Sequence, residues 1–114
     1  MRPALLLALM ALALPAVAAA ASTKYSGTTG QHLAVSFTLT DKKVKSFKAK
    51  VRCTSSRAQT FSFPTIPVNS RGRFSVHQAG PSLDGRIRGS RASGTLTLPG
   101  CNANANEVGF TARA

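Results

Sequence analysis

Beyond position 21 the apolar residues recur at every second position, and no stretch of the chain there keeps a helical period. In "HLAVSFTLT", Leu33, Val35, Phe37 and Leu39 share one parity, while Ala34, Ser36, Thr38 and Thr40 take the other. In "SFKAKVRC", Phe47, Ala49, Val51 and Cys53 point one way and Lys48, Lys50 and Arg52 the other. Successive side chains of a strand project to opposite faces, so this alternation describes half-buried strands with one wet side. The same rule pairs Phe61 with Phe63, Phe74 with Val76, Leu96 with Leu98, and Val108 with Phe110 and Ala112. Ile87 stands between two arginines, and a shorter strand is expected around Tyr25.

Turn chemistry punctuates these runs at short intervals: "TTGQ", "TDKK", "NSRG", "GPSLDG", "RASG" and "PGCNANAN". Glycine supplies positive φ, and Asn and Asp tolerate it or cap the turn with their side chains. Connections this short cannot hold crossover helices, so the pairing is expected to be antiparallel. The reading is an all-β domain of seven to eight short strands, an antiparallel β-sandwich or small barrel. The sandwich is preferred, because one disulfide joining distant segments commonly staples two sheets. Pro64 and Pro67 cannot donate to a ladder, which marks "FPTIPV" as an edge or a bend. "CNANANEV" reads as an exposed loop tip without a glycosylation sequon.

The first twenty residues have a different character. Arg2 provides a positive start, Ala4 to Leu14 is an apolar run, Pro15 breaks it, and "AVAAAAS" follows. That is the layout of a secretory signal peptide, with cleavage after Ala18, Ala20 or Ala21. The competing reading is a permanent anchor from Pro3 to Ala21, against which Pro15 and the abundance of alanine weigh. The expected organisation is residues 1–20 as signal peptide and 21–114 as one secreted β domain with no span after cleavage. Such a protein is extracellular or associated with the cell envelope.

The chain carries 15 Lys+Arg against 3 Asp+Glu, a net charge of +12 that falls to +11 when Arg2 is removed. Repulsion among these charges opposes compaction. Cys53 and Cys101 are the only cysteines, and in an exported chain a pair reads as one disulfide. Closing that loop would contribute roughly 4 kcal/mol in the chain-entropy description. Two buried free thiols are the alternative. A thiol nucleophile or a metal site has little support, since His32 and His77 are the only other soft ligands.

Catalytic groups are scarce. Asp41, Asp84 and Glu107 are the only carboxylates, and Asp41 and Asp84 both sit in turn signals. Ser75, His77 and Asp84 could be drawn as a triad, but no nucleophile-elbow glycine pattern surrounds any serine. His77 reads as a surface strand residue and His32 as a turn residue. No phosphate loop, dinucleotide fingerprint or zinc spacing is present, and no cofactor is expected. The chain is expected not to be an enzyme, with a small hydrolase as the least favoured alternative.

Binding remains. One cationic cluster runs from Lys42 to Arg52, including Lys48, Lys50 and Arg52; the other comprises Arg71, Arg73, Arg86, Arg88 and Arg91. Arginine forks match phosphate and carboxylate oxygens, whereas lysine acts as a point charge. If the two clusters share a face, they form a surface for anionic polysaccharide, envelope polymer or extracellular nucleic acid. Otherwise they are a solvated shell that keeps edges from pairing, on a structural or protein-interaction module with incidental charge. All six Phe residues fall on the apolar parity and Tyr25 is the only other aromatic, so stacking on bases or sugars is disfavoured. Diffuse, salt-sensitive attraction is the mode that this composition permits.

"YSGTTGQHLAVSFTLTDKKVKSFKAKVRC", "FSFPTIPVNSRGRFSV", "IRGSRASGTLTL" and the late cysteine together resemble small secreted proteins of high-GC Gram-positive bacteria. The resemblance covers most of the chain past the signal, and its motifs are turn and strand grammar. It implies a compact β-sandwich with a Cys53–Cys101 bridge, and it carries no functional residue onto this chain.

Overall fold

The structure is a computed structural model that describes residues 21–54, 57–102 and 106–114. The expected signal peptide at 1–20 lies outside the described residues. Nine strands are present among the described residues: β1 (Ser22–Thr29), β2 (Ala34–Thr40), β3 (Lys43–Arg52), β4 (Ala58–Phe63), β5 (Ile66–Pro67), β6 (Arg73–Val76), β7 (Ser82–Arg88), β8 (Arg91–Thr97) and β9 (Glu107–Arg113). All pairings are antiparallel.

The strands form one continuous sheet in the order β4-β3-β2-β1-β9-β8-β7-β6, curled into a half-barrel. Two separate sheets, as a sandwich requires, are not found among the described residues. The curl follows from strand twist accumulating across a long antiparallel path. Only β5 leaves that path, pairing Ile66 and Pro67 with Val44 and Lys43 at the start of β3. The proline-flanked segment is therefore an edge, as its missing donors dictate.

The concave face holds the core. Val35, Phe37, Val44, Phe47, Val51, Leu83, Leu96 and Val108 are buried there, each contributing roughly 1.5–3 kcal/mol. The aromatic rings form a continuous stack, with Tyr25 on Phe37 at 4.9 Å, Phe37 on Phe47 at 5.6 Å, and Phe110 edge-on to Phe47 at 5.3 Å. None of the aromatic side chains is exposed, and Phe61 is half-buried.

Three local readings are corrected. Lys43 belongs to a strand and not to the "TDKK" turn, because the β2–β3 turn is only Asp41–Lys42, both at positive φ. Ser46 then forms a bulge at φ 55, where the pairing slips between Ser36 and Thr38. The extra residue resets the parity, so Val44 and Phe47 both point inward although they are three apart. Asp84 lies within β7 and not in a turn. The Asp84-Gly85 pair stays extended because Leu83 anchors the strand and the Phe74 ring occupies the space beside Gly85. "RASG" is likewise strand, since the β7–β8 turn is confined to Gly89–Ser90.

Cys53 and Cys101 are bonded, with 4.8 Å between their Cα atoms. Cys53 follows β3 and Cys101 sits in the β8–β9 connection, with β2 and β1 between β3 and β9 in the sheet. Three strand spacings of a flat sheet amount to about 14 Å. The bridge therefore fastens the curl across the concave side. Cys101 is buried, a departure from the exposed loop tip expected there; Asn102 is exposed, and residues 103–105 lie outside the described residues.

Candidate anion-binding face

The convex face collects the cations. Because β3 is re-phased by its bulge, Lys43, Lys45, Lys48, Lys50 and Arg52 are all exposed on that side. The arginines come from the other half of the sheet: Arg73 on β6, Arg86 and Arg88 on β7, Arg91 on β8, and Arg113 on β9. Lys24 on β1 stands between the two groups. Arg71 lies apart, in the turn that Asn69 caps by accepting from the Arg71 and Arg73 N–H groups.

Strand register joins the two clusters into one line. Arg88 opposes Arg91, Arg91 opposes Arg113, Arg113 opposes Ser26, Ser26 opposes Ser36, and Ser36 opposes Lys48. A single row of outward side chains thus crosses from β7 to β3. Arg113 and Lys48 are separated along it by about 14 Å of sheet, at roughly 4.8 Å per strand. A second row sets Arg73 opposite Arg86, and Arg86 opposite Ser93.

The arginine end of the row is concave. A hollow of about 620 Å³ lies among Arg86, Arg88, Arg91 and Arg113, over the hydroxyl-bearing residues Ser26 and Thr111. The β7–β8 hairpin that carries Arg88 and Arg91 is held from two sides. The Tyr25 hydroxyl donates to the Gly89 carbonyl at 2.7 Å, and the Ala114 N–H donates to the Ser90 carbonyl at 2.8 Å. Arg86 is half-buried, and its buried Nε has no hydrogen-bond partner among the described residues.

Among the described residues no carboxylate pairs with these arginines. The one basic side chain there in contact with a carboxylate is His77, whose Nε2 is hydrogen-bonded to Asp84 Oδ1 at 2.9 Å. Ser75 opposes Asp84 across β6 and β7, so the three residues considered as a triad are neighbours. Their arrangement is not that of a relay. His77 and Asp84 side chains are 68% and 59% exposed, and no hydrogen bond joins Ser75 to His77 among the described residues. His32 is in a turn, at φ 64. Among the described residues no group of three or more His, Cys, Asp or Glu is gathered, and no helix is long and apolar enough to cross a membrane.

Arg113 was absent from the residues that sequence reasoning singled out. Its signal was available: in "EVGFTAR" the buried Val108, Phe110 and Ala112 leave Arg113 on the wet parity. What could not be read is that β9 inserts between β1 and β8, which puts Arg113 beside Arg91. No protein family matches the chain, and no curated protein or solved structure matches it either.

Proposed function

We propose that this protein is exported and acts by binding, engaging an anionic polymer of the cell envelope with its convex face. The observation that carries this reading is the register row Arg88–Arg91–Arg113–Ser26–Ser36–Lys48, which makes one cationic belt of two sequence-distant clusters. Charges so arranged raise the local concentration of a polyanion and bind it in a salt-dependent way. With every aromatic ring turned to the core, recognition rests on charge and hydrogen bonds, not on stacking. The disulfide suits an oxidising compartment. The solvent-open His77–Asp84 pair favours a binding role over hydrolysis, since a general base works best shielded and aimed at a nucleophile.

The test is retention of the protein on immobilised heparin and on an anionic envelope polysaccharide across a salt gradient. Elution is expected at elevated salt, moving to lower salt when Lys48, Lys50 and Arg52 become Gln. Early elution that those substitutions leave unchanged would sink the reading.

A further inference from the structure

The hollow among Arg86, Arg88, Arg91 and Arg113 differs in kind from the lysine side of the belt. Resting on the polyanion-binding reading, we propose that it is a discrete subsite for a terminal phosphate group, one bearing three free oxygens. The lysines of β3 supply charge; the arginines select the group.

The chemistry follows from the register. Arg88, Arg91 and Arg113 face one another on three adjacent strands, at roughly 5 Å per strand. Guanidinium groups so placed repel one another, and no carboxylate lies among them. A carboxylate carries one charge on two coplanar oxygens, so it offers fewer directions to several forks at once. A phosphate monoester carries up to two charges on three tetrahedral oxygens, so it can accept from several forks at once. Ser26 and Thr111, which line the hollow, bring hydroxyls that can add neutral donors. Arg86 lines the same hollow and adds a fourth guanidinium.

The site is also preorganised. Tyr25 and Ala114 pin the Gly89–Ser90 turn, so the hairpin bearing Arg88 and Arg91 need not be ordered by the ligand. The hollow, at about 620 Å³, holds more than one phosphate, which leaves room for the sugar or chain that carries it.

The experiment titrates the disulfide-bonded protein with inorganic phosphate, methyl phosphate, dimethyl phosphate and acetate at matched ionic strength. Binding is followed by calorimetry and by the NMR signals of the arginine Nε–H groups. Phosphate and methyl phosphate should saturate and shift Arg86, Arg91 and Arg113, while dimethyl phosphate and acetate should not. Combining Arg91→Gln with Arg113→Gln should weaken phosphate binding about tenfold or more, whereas Lys48→Gln with Lys50→Gln should leave it within about twofold. Equal responses to all four anions, or equal losses in the two double variants, overturn the proposal. An oligosaccharide ending in a phosphate monoester, compared with inorganic phosphate, identifies the source: tighter binding of the oligosaccharide supports a polymer end, and equal binding supports free phosphate. Retention on heparin with no phosphate saturation would refute the subsite and leave the polyanion face standing.

Discussion

Arg91 on β8 and Arg113 on β9 occupy directly opposed positions on the convex face, with Arg88 opposed to Arg91 from the far side. Like charges placed so cost stability, and only solvent and salt relieve them. Replacing Arg113 with Thr, a residue suited to strands, should therefore raise the melting temperature by about 2–4 °C at low ionic strength. Near 1 M salt, where screening acts within about 3 Å, the difference should vanish. A scan of melting temperature against salt for both proteins decides it. An unchanged or lower value at low salt would show that Arg113 is stabilised by contacts other than its charge.

Tyr25 and Gly89 are 64 residues apart, and their hydrogen bond ties β1 to the hairpin turn at the arginine hollow. Tyr25→Phe keeps the ring on Phe37 and removes only the hydroxyl. A partly buried carbonyl loses its donor, at a cost of about 1–2 kcal/mol. Denaturant unfolding should show that loss with an unchanged slope. Amide exchange at Ser90 and Arg91 should rise as well, since the turn loses one of its two fastenings.

The disulfide closes a loop of 48 residues across the curl. In the chain-entropy description its removal by paired Cys53→Ser and Cys101→Ser costs roughly 4 kcal/mol. For a domain of this size that is a large share of the total stability. Chemical denaturation of the bridged and serine forms measures the difference directly. A loss below about 1 kcal/mol would mean that the strand ladder alone maintains the half-barrel.

Lys42 is the second residue of a two-residue hairpin turn and sits at φ 60, with Asp41 before it at φ 52. Such a turn favours glycine at its second position, because a side chain there crowds the backbone. Lys42→Gly should stabilise the protein by about 0.5–1 kcal/mol while keeping the Val68 N–H bond to the residue 42 carbonyl. Comparison of unfolding midpoints checks the sign. A destabilised variant would indicate that the Lys42 side chain makes a favourable contact outweighing the strain.

The strands and the inner face were legible because period two is imposed by the pleat itself. Phe37, Phe47, Phe74 and Phe110 are buried where parity put them. The disulfide was legible from there being two cysteines in a chain expected to be exported. The Ser46 bulge was not: it shifts the phase without leaving a residue type that announces it, and so the outward placement of Lys45, two residues from the buried Phe47, was hidden from parity. Strand order was not legible either, since any alternating strand can pair with any other. The question left open by the sequence, whether the lysine and arginine clusters share a face, is a question of order. Insertion of β9 between β1 and β8 answers it by placing the strand cations of both clusters, though not Lys42 or Arg71 in their turns, on the same side of one sheet.

The seam between β1 and β9 depends on the absence of a side chain at Gly27. A Cβ at that position would lie 2.0 Å from the Thr111 carbonyl oxygen and 2.6 Å from the Ala112 Cα, both backbone atoms. Neither can yield without moving β9, and with it Arg113 and the edge of the arginine hollow. Gly27→Ala should cost about 2–3 kcal/mol, at the upper end for overpacking, because the clash is with main chain and not with a rotatable group. Gly80 provides the control: nothing lies within 4 Å of a Cβ there, and Gly80→Ala should stay within about 0.5 kcal/mol of the parent. Unfolding of both variants in denaturant tests the seam. Equal stability of the two would mean that β1 and β9 can separate locally without penalty, and the convex row would then lack a rigid centre.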